Sequence, residues 1–290
     1  MGARGLKRLI LGMATLAVLS VAAYADARLV LRFEEMDPHI GQMLELRVVD
    51  TDTMAEIARV SLPEIASSSF DLEIGGLQIG SNIRLDFYAD ANDSGLYEAP
   101  PEDHAWRLEL MGVQMDGSLT FAHSTDFVDI DWPPQIDGMI GDTEYRNEML
   151  DSETGMRVLW QNSSETLYVG LVAPGTGWLS IGFEPERMMQ GADIIIGALA
   201  DGELVIEDHY GNAPTSHRID AVDHIIQAGG SEVDGKTVLE FAIALDSGDD
   251  QDAVLATGEL VTIILGYHAS SDSLTTRHSK RATASLQLDD

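Results

Sequence analysis

The chain has 290 residues, with 49 Asp or Glu against 17 Lys or Arg, which gives a formal net charge of −32 at pH 7. Nucleic acid and anionic membranes are poor partners for so acidic a surface, which is predicted to serve solubility in a salty environment or docking to a basic redox partner. The sequence contains no cysteine, which excludes disulfides, thiolate metal sites and covalently attached c-type haem.

The first 25 residues have the three parts of an export signal. A positive segment with Arg4, Lys7 and Arg8 precedes an apolar stretch over 9–21, and residues 23–25 form an A-x-A cleavage site. The alternative is a retained N-terminal anchor. No later run reaches the roughly 18 apolar residues that a spanning helix needs. The sequence therefore predicts a signal peptide at 1–25 and a periplasmic or secreted mature chain without a transmembrane segment.

Short segments in which apolar residues alternate with polar ones recur along the mature chain, as half-buried strands require. Examples lie at 70–74, 83–87, 106–110, 167–171 and 239–245. Pairs of turn-forming residues separate such segments. The predicted turns are Gly75-Gly76, Asp201-Gly202, Gly229-Gly230 and Asp234-Gly235. Many short strands at this spacing are typical of β-sandwiches, so the fold class is predicted to be all-β.

A domain boundary is predicted at Trp132, Pro133 and Pro134, because two prolines cannot both lie in a central strand. The resulting organisation has two β-sandwich domains, one over 26–132 and one over 133–290. No family resemblance is recognised in the first, and an adhesion or scaffold module is the expectation for it.

One loop of the N-terminal domain resembles the start of a calcium loop, since oxygen ligands at alternate positions are followed by Gly95. The predicted calcium ligands are Asp90, Asn92, Ser94 and Glu102. Glu102, or Asp103 beside it, would replace the bidentate glutamate of such loops, because Pro101 occupies that position. The alternative is a hairpin turn rich in Asp and Asn that binds no ion.

The C-terminal half contains an ordered set of short motifs. They are Ile136-Asp137-Gly138, LYVGL over 167–171, GWLSIGF over 177–183, MQGAD over 189–193, TVLEF over 237–241, and Tyr267-His268. In this order they resemble the DOMON superfamily of haem- or sugar-binding β-sandwiches, whose fold is immunoglobulin-like. The resemblance extends from about residue 134 to about residue 288. One departure is Ile243, which stands where many members carry an arginine.

The resemblance implies a ligand set for a noncovalent b-type haem. In haem-binding members, one ligand is a methionine in the loop after the GW strand, where this chain has Met189, and the other is a histidine before the final strand, where it has His278. Thioether and imidazole ligands together are typical of electron-transfer centres. Alternative ligands are Met188 and His268.

The predicted pocket walls are Trp178, Phe183 and Tyr267. A basic segment around His278, with Arg277 and Arg281, either pairs with haem propionates or is simply exposed. The predicted function is therefore electron transfer with a separate, unidentified redox partner.

Two other functions stay open. In a carbohydrate-binding module, Trp160, Tyr168, Trp178 and Tyr267 would stack on a sugar, although strand aromatics more often pack in a core. The other is an interaction module without a small ligand. Enzymatic activity is not expected, because the sequence lacks G-x-S-x-G, H-E-x-x-H and Gly-rich phosphate-loop motifs.

Overall fold

The computed structural model describes residues 26–290, so the predicted signal peptide at 1–25 lies outside the described residues. The described chain is built from strands, with one short 3-10 helix at Asp37–His39, and the predicted all-β class is confirmed. No helix within 26–290 is long and apolar enough to cross a membrane.

The strands fall into two sequence groups. The first group is β1 (Asp26–Glu34), β2 (Leu44–Asp50), β3 (Glu56–Leu62), β4 (Phe70–Gln78), β5 (Ile83–Ala89), β6 (His104–Leu110) and β7 (Gly117–Ala122). The second group is β8 (Asn147–Leu150), β9 (Arg157–Asn162), β10 (Thr166–Ala173), β11 (Leu179–Phe183), β12 (Asp193–Ala200), β13 (Glu203–Ala213), β14 (Ser216–Ile219), β15 (Ile225–Val233), β16 (Lys236–Ala244), β17 (Leu260–Tyr267) and β18 (Lys280–Gln287).

The chain divides into two compact units. Of the described residues, the first unit contains 26–87 together with 107–125, and the second contains 88–106 together with 126–290. The second unit thus includes segments that the sequence analysis assigned to the N-terminal domain. The predicted limits of 26–132 and 133–290 stay a prediction.

The first unit is organised around β1, which pairs with β4 in antiparallel and with β7 in parallel orientation. A second sheet has the order β3-β2-β5-β6. Alternate residues of β1 are buried, and Phe33 stacks on Phe70 and meets the edges of Phe87 and Phe121. On the opposite face of β1, Arg32 donates two hydrogen bonds to the carboxylate of Asp71. The period of two seen in the sequence therefore separates the core of this unit from its solvent face.

The second unit is a sandwich of two antiparallel sheets, with the orders β15-β16-β10-β9-β8 and β14-β13-β12-β11-β17-β18. Both sheets contribute to one apolar core. Its fully buried members include Val158, Leu167, Val169, Leu171, Leu179, Ile181, Phe183, Leu239, Phe241, Ile263 and Leu286. The alternation predicted at 167–171 and 239–245 supplies one side of this core.

Two of the four predicted turns are confirmed. Asp201-Gly202 and Asp234-Gly235 have positive φ at both residues and close the β12–β13 and β15–β16 hairpins, as two-residue turns of this type require.

The other two predicted turns, Gly75-Gly76 and Gly229-Gly230, are wrong, because both lie inside strands. In β4, the glycines form a bulge: Ala27 pairs with Leu77 and Leu29 with Ile74, and Gly76 has a φ of 72°. In β15, a Cβ on Gly229 would lie 2.6 Å from the backbone nitrogen of Gly138. Glycine at this position therefore lets the Ile136-Asp137-Gly138 motif approach β15 backbone to backbone.

Candidate functional site

A cavity of about 920 Å³ lies within the second unit and touches all six strands of the β14-to-β18 sheet. Along β11, Leu179, Ile181 and Phe183 enter the core, whereas Ser180 and Gly182 line the cavity. Because successive side chains of a strand point to opposite faces, the cavity lies on the face of this sheet that is turned away from the core.

The walls of the cavity are largely apolar. They include Trp178, Ile194, Ile196, Ile264, Leu265 and Leu274. The floor between β11 and β17 has small residues, where Ser180 pairs with Gly266. The volume and the largely apolar lining of the cavity are typical of a small-molecule or cofactor site.

Met189 and His278 line this cavity from two different loops. Met189 lies between β11 and β12, and His278 lies between β17 and β18, two residues before the last strand begins. Both side chains are half-buried. Burial, followed by the charges of Arg281 and Arg277, lowers the pKa of His278. This lowering favours the neutral imidazole, which is the form that binds a metal.

Trp178 connects the cavity wall to the loop that carries His278. Its side chain is buried, and its indole Nε1 donates a hydrogen bond of 3.1 Å to the carbonyl oxygen of Thr276. This contact restrains the loop two residues before His278.

Two exposed arginines, Arg277 and Arg281, also line the cavity. They place positive charge at the cavity of a strongly acidic protein.

Two predicted pocket walls are corrected by the structure. Phe183 and Tyr267 belong to the core between the sheets and do not line the cavity. Each lies an even number of positions from core residues of its own strand, so its side chain points into the core. The sequence motif alone does not show which face of the strand is the core face.

The two alternative ligands differ. Met188 lines the cavity and is 42% exposed. His268 does not line it, and its Nδ1 accepts backbone hydrogen bonds from Ser270 and Ser271. His268 thus stabilises the start of the β17–β18 loop.

The structure places a polar chain on the cavity wall. His209 Nδ1 lies 2.7 Å from His217 Nδ1, and His209 Nε2 lies 2.7 Å from Glu207 Oε2. Burial, followed by the charge of His209, lowers the pKa of His217. Glu207 and His209 are two positions apart in β13, so their side chains point to the same face of the sheet. This spacing is the sequence signal that could have predicted their contact.

The structure also brings together buried acids that the sequence analysis did not single out. Asp193 and Asp208 are 5% and 4% exposed, and each pKa is raised first by burial and then by neighbouring carboxylates, to about 8 for Asp193 and about 6 for Asp208.

The predicted calcium loop is a hydrogen-bonded turn in the structure. Asp90 accepts backbone N–H bonds from Ser94 and Gly95, and Asp103 accepts them from Ala91 and Glu98. The predicted ligands Asn92, Ser94 and Glu102 are exposed. The two buried carboxylates thus use their oxygens on the backbone, an arrangement that favours the turn interpretation.

The role of Asp103 in this turn is directly testable. Asp103→Ala is expected to lower the free energy of unfolding by about 1–3 kcal/mol, because two backbone N–H groups lose their acceptor. Glu102→Ala, at the exposed neighbour, is the control and should change it by no more than about 0.5 kcal/mol. Urea denaturation of both variants measures the difference, and equal stabilities would contradict this assignment.

Comparison with known proteins gives a family for the second unit. Residues 152–268 match the family model of the DOMON domain. DBH-like monooxygenase protein 1 of Homo sapiens is 28% identical over 159 residues, which are 54% of this chain and 26% of the human protein. The corresponding Mus musculus protein is 30% identical over 136 residues, or 47% of this chain and 22% of that protein. The chain thus spans about a quarter of the length of these curated relatives.

Among solved structures, the cytochrome b domain of pyranose dehydrogenase from Coprinopsis cinerea aligns with a TM-score of 0.40 at 12% identity, over 48% of this chain and 80% of that chain. A family 9 carbohydrate-binding module from Caldicellulosiruptor kristjanssonii in complex with glucose aligns with a TM-score of 0.32 at 15% identity, over 54% and 89%. The match to the DOMON family model over residues 152–268 thus lies within the second unit.

Proposed function

We propose that the cavity of the second unit binds a noncovalent b-type haem between Met189 and His278, and that the protein transfers electrons outside the cytoplasm. The observation that carries the proposal is that these two side chains, 89 positions apart in sequence, line one cavity. They also stand at the two positions that the DOMON resemblance assigns to haem ligands. The predicted export signal supports the location.

The donor set of the cavity suits haem iron. A thioether and a neutral imidazole are the two axial ligands of many electron-transfer cytochromes, and the lowered pKa of His278 favours its neutral ring. Apolar side chains such as Ile194 and Ile264 would exclude water from a planar apolar ring. When bound, the haem supplies reversible one-electron chemistry.

The remaining cavity residues have separate roles in this proposal. Arg277 and Arg281 would pair with the anionic propionate groups, since arginine forms strong charge-assisted bonds with carboxylates. Trp178 positions the loop of His278 through its bond to Thr276. Ser180 and Gly266 give the floor small side chains, which would leave room for the ligand.

Sugar binding is less well supported by the same geometry. Of the four aromatic residues that would stack on a sugar, Trp160, Tyr168 and Tyr267 do not line the cavity, and Trp178 is 5% exposed. A sugar-stacking platform needs an exposed ring face. The monooxygenase activity in the name of the curated relatives belongs to those proteins, and we infer binding and electron transfer for this chain.

The proposal predicts a specific absorbance spectrum. The full chain, produced with added haem precursor, is expected to show a Soret band and sharp α and β bands after reduction. Met189→Ala and His278→Ala should each abolish the low-spin reduced spectrum, because each removes one axial ligand. Absorbance of the oxidised and reduced proteins measures this.

Matched controls separate ligation from general damage to the loops. Met188→Ala and His268→Ala alter the neighbouring or alternative residue and should leave the reduced spectrum unchanged. A colourless protein that also fails to take up added haemin would refute haem binding. Unchanged spectra in both Met189→Ala and His278→Ala would refute the ligand assignment.

A further inference from the structure

A second polar site lies in the same unit, outside the cavity. Asp208 belongs to β13, Asp220 and His224 to the β14–β15 connection, and Asp249 and Asp252 to the β16–β17 connection. None of these five residues lines the cavity described above. Three separate segments of the chain therefore deliver acidic groups and one imidazole to one place.

Their ligand atoms are close enough to share one ion. Asp208, His224 and Asp252 each offer one atom, and the three atoms lie within 4.8 Å of one another. The same holds for Asp220, Asp249 and Asp252. Asp252 belongs to both groups, so the two sets form one contiguous cluster.

The strongest indication that the cluster binds an ion is that two of its carboxylates have a buried oxygen atom without a hydrogen bond. Asp208 is 4% exposed, and its Oδ1 is buried and accepts no hydrogen bond. The side chain of Asp252 is 8% exposed, and its Oδ1 is likewise buried and unbonded. A buried carboxylate oxygen left in this state carries a substantial desolvation cost, which a bound cation would offset.

Two further atoms in the cluster share this property. Asp220 Oδ2 and His224 Nδ1 are both buried without a hydrogen-bond partner. His224 Nδ1 lies 2.8 Å from Asp252 Oδ2, yet the contact lacks hydrogen-bond geometry. Their lone pairs are thus available to a common ligand.

The charge of the cluster is not neutralised by other side chains. Within residues 26–290, no Lys or Arg forms an ion pair with Asp208, Asp220 or Asp252; Arg218 instead donates to Gln251. Carboxylates this close repel one another when ionised. A divalent cation would neutralise them and satisfy the unbonded oxygens together.

We propose that Asp208, Asp220, His224 and Asp252, with Asp249 beside them, bind a divalent cation. Because carboxylate oxygens dominate the set, the expected ions are Ca²⁺ or Mn²⁺, of which Mn²⁺ also accepts an imidazole ligand. The cation links β13 to the β14–β15 and β16–β17 connections. This site is independent of haem binding, so either proposal can fail without the other.

The experiment uses the full chain freed of metal by chelation. Adding Ca²⁺ or Mn²⁺ alone is expected to raise the melting temperature by about 5–10 °C at a hundredfold excess over Kd, with saturable binding in calorimetry. Asp208→Asn and Asp252→Asn should each weaken binding at least about tenfold and remove most of the melting shift. Asp250→Asn, at an exposed carboxylate of the same connection, should retain both.

Two results would overturn the proposal. One is absence of both binding heat and melting shift with either metal at millimolar concentration. The other is wild-type affinity in both Asp208→Asn and Asp252→Asn. Since a variant that fails to fold would also lose the melting shift, direct metal content after gel filtration is measured on folded protein only. Loss of the cation in Glu102→Ala would instead assign it to the 90–103 loop and overturn the proposed site.

Discussion

Gly211→Ala is expected to displace the loop that carries Met189. Gly211 accepts a backbone hydrogen bond from Gly191 and donates one to Ala192, both at 2.8 Å. A Cβ at this position would lie 1.6 Å from the carbonyl oxygen of Met189. The obstructing atom is backbone, so the loop must move or its hydrogen bonds must break.

The expected cost is about 3 kcal/mol of unfolding free energy, at the upper end of typical overpacking effects. If haem is bound as proposed, the reduced spectrum of Gly211→Ala should resemble that of Met189→Ala. Urea denaturation and reduced absorbance measure the two effects. Gly141→Ala is the matched control, since its Cβ would meet its nearest neighbours at 3.6 Å or more and its φ is not positive. Wild-type stability together with a wild-type spectrum in Gly211→Ala would contradict the packing argument.

Glu240→Gln is expected to remove a large pH dependence of stability. Glu240 is fully buried and accepts hydrogen bonds from Tyr145 Oη at 2.8 Å and from the backbone nitrogen of Gly138 at 2.7 Å. Burial, followed by the charges of Glu144 and Asp137, raises the pKa of Glu240 from 4.5 to about 7. The two donors lower the pKa but only partly offset the burial.

The direction in which stability changes with pH follows from proton binding. Between pH 4.5 and pH 7, the folded protein holds a proton on Glu240 that the unfolded chain has released. The stability contributed by this group is therefore complete below pH 4.5 and is lost as the pH rises to about 7. The difference in unfolding free energy between the wild type and Glu240→Gln should shift against the wild type by about 1.4 kcal/mol per pH unit in this window, or about 3 kcal/mol in all.

Denaturation at pH 5, 6, 7 and 8 tests this expectation. The wild type is compared with Glu240→Gln and with Glu232→Gln, which changes an exposed glutamate of β15. The difference in unfolding free energy between the wild type and a variant cancels the general repulsion among acidic groups, which all three proteins share. A constant difference between the wild type and Glu240→Gln across these pH values would show that Glu240 has an ordinary pKa.

The sequence predicted the class of fold well because strand periodicity is a local property. Alternation at 167–171 and 239–245 follows from each strand having one core face and one outer face. The Asp201-Gly202 and Asp234-Gly235 turns were also predictable, since positive φ at two successive positions restricts the residue types. The ordered motifs of the C-terminal half likewise predicted the match to the DOMON family model.

The glycine pairs inside strands were predicted wrongly as turns, because a tertiary contact explains why glycine is needed at such a position. Gly229 serves the close approach of Gly138, which lies 91 positions earlier, and no local pattern distinguishes this from a turn. The same limit applies to Phe183 and Tyr267. Both belong to motifs near the cavity, but their side chains have the parity of the core face.

What the sequence by itself determined is therefore the all-β class, the DOMON motif order and the two residues, Met189 and His278, that the resemblance assigns to haem ligation. Only the tertiary structure decided that both line one cavity on the outer face of a sheet, and that Asp208 and Asp252 meet with unbonded oxygens. The physical reason is that the alternation of apolar residues and the order of motifs are properties of neighbouring residues in the sequence. Cavities and charge clusters instead form where segments that are distant in sequence pack together.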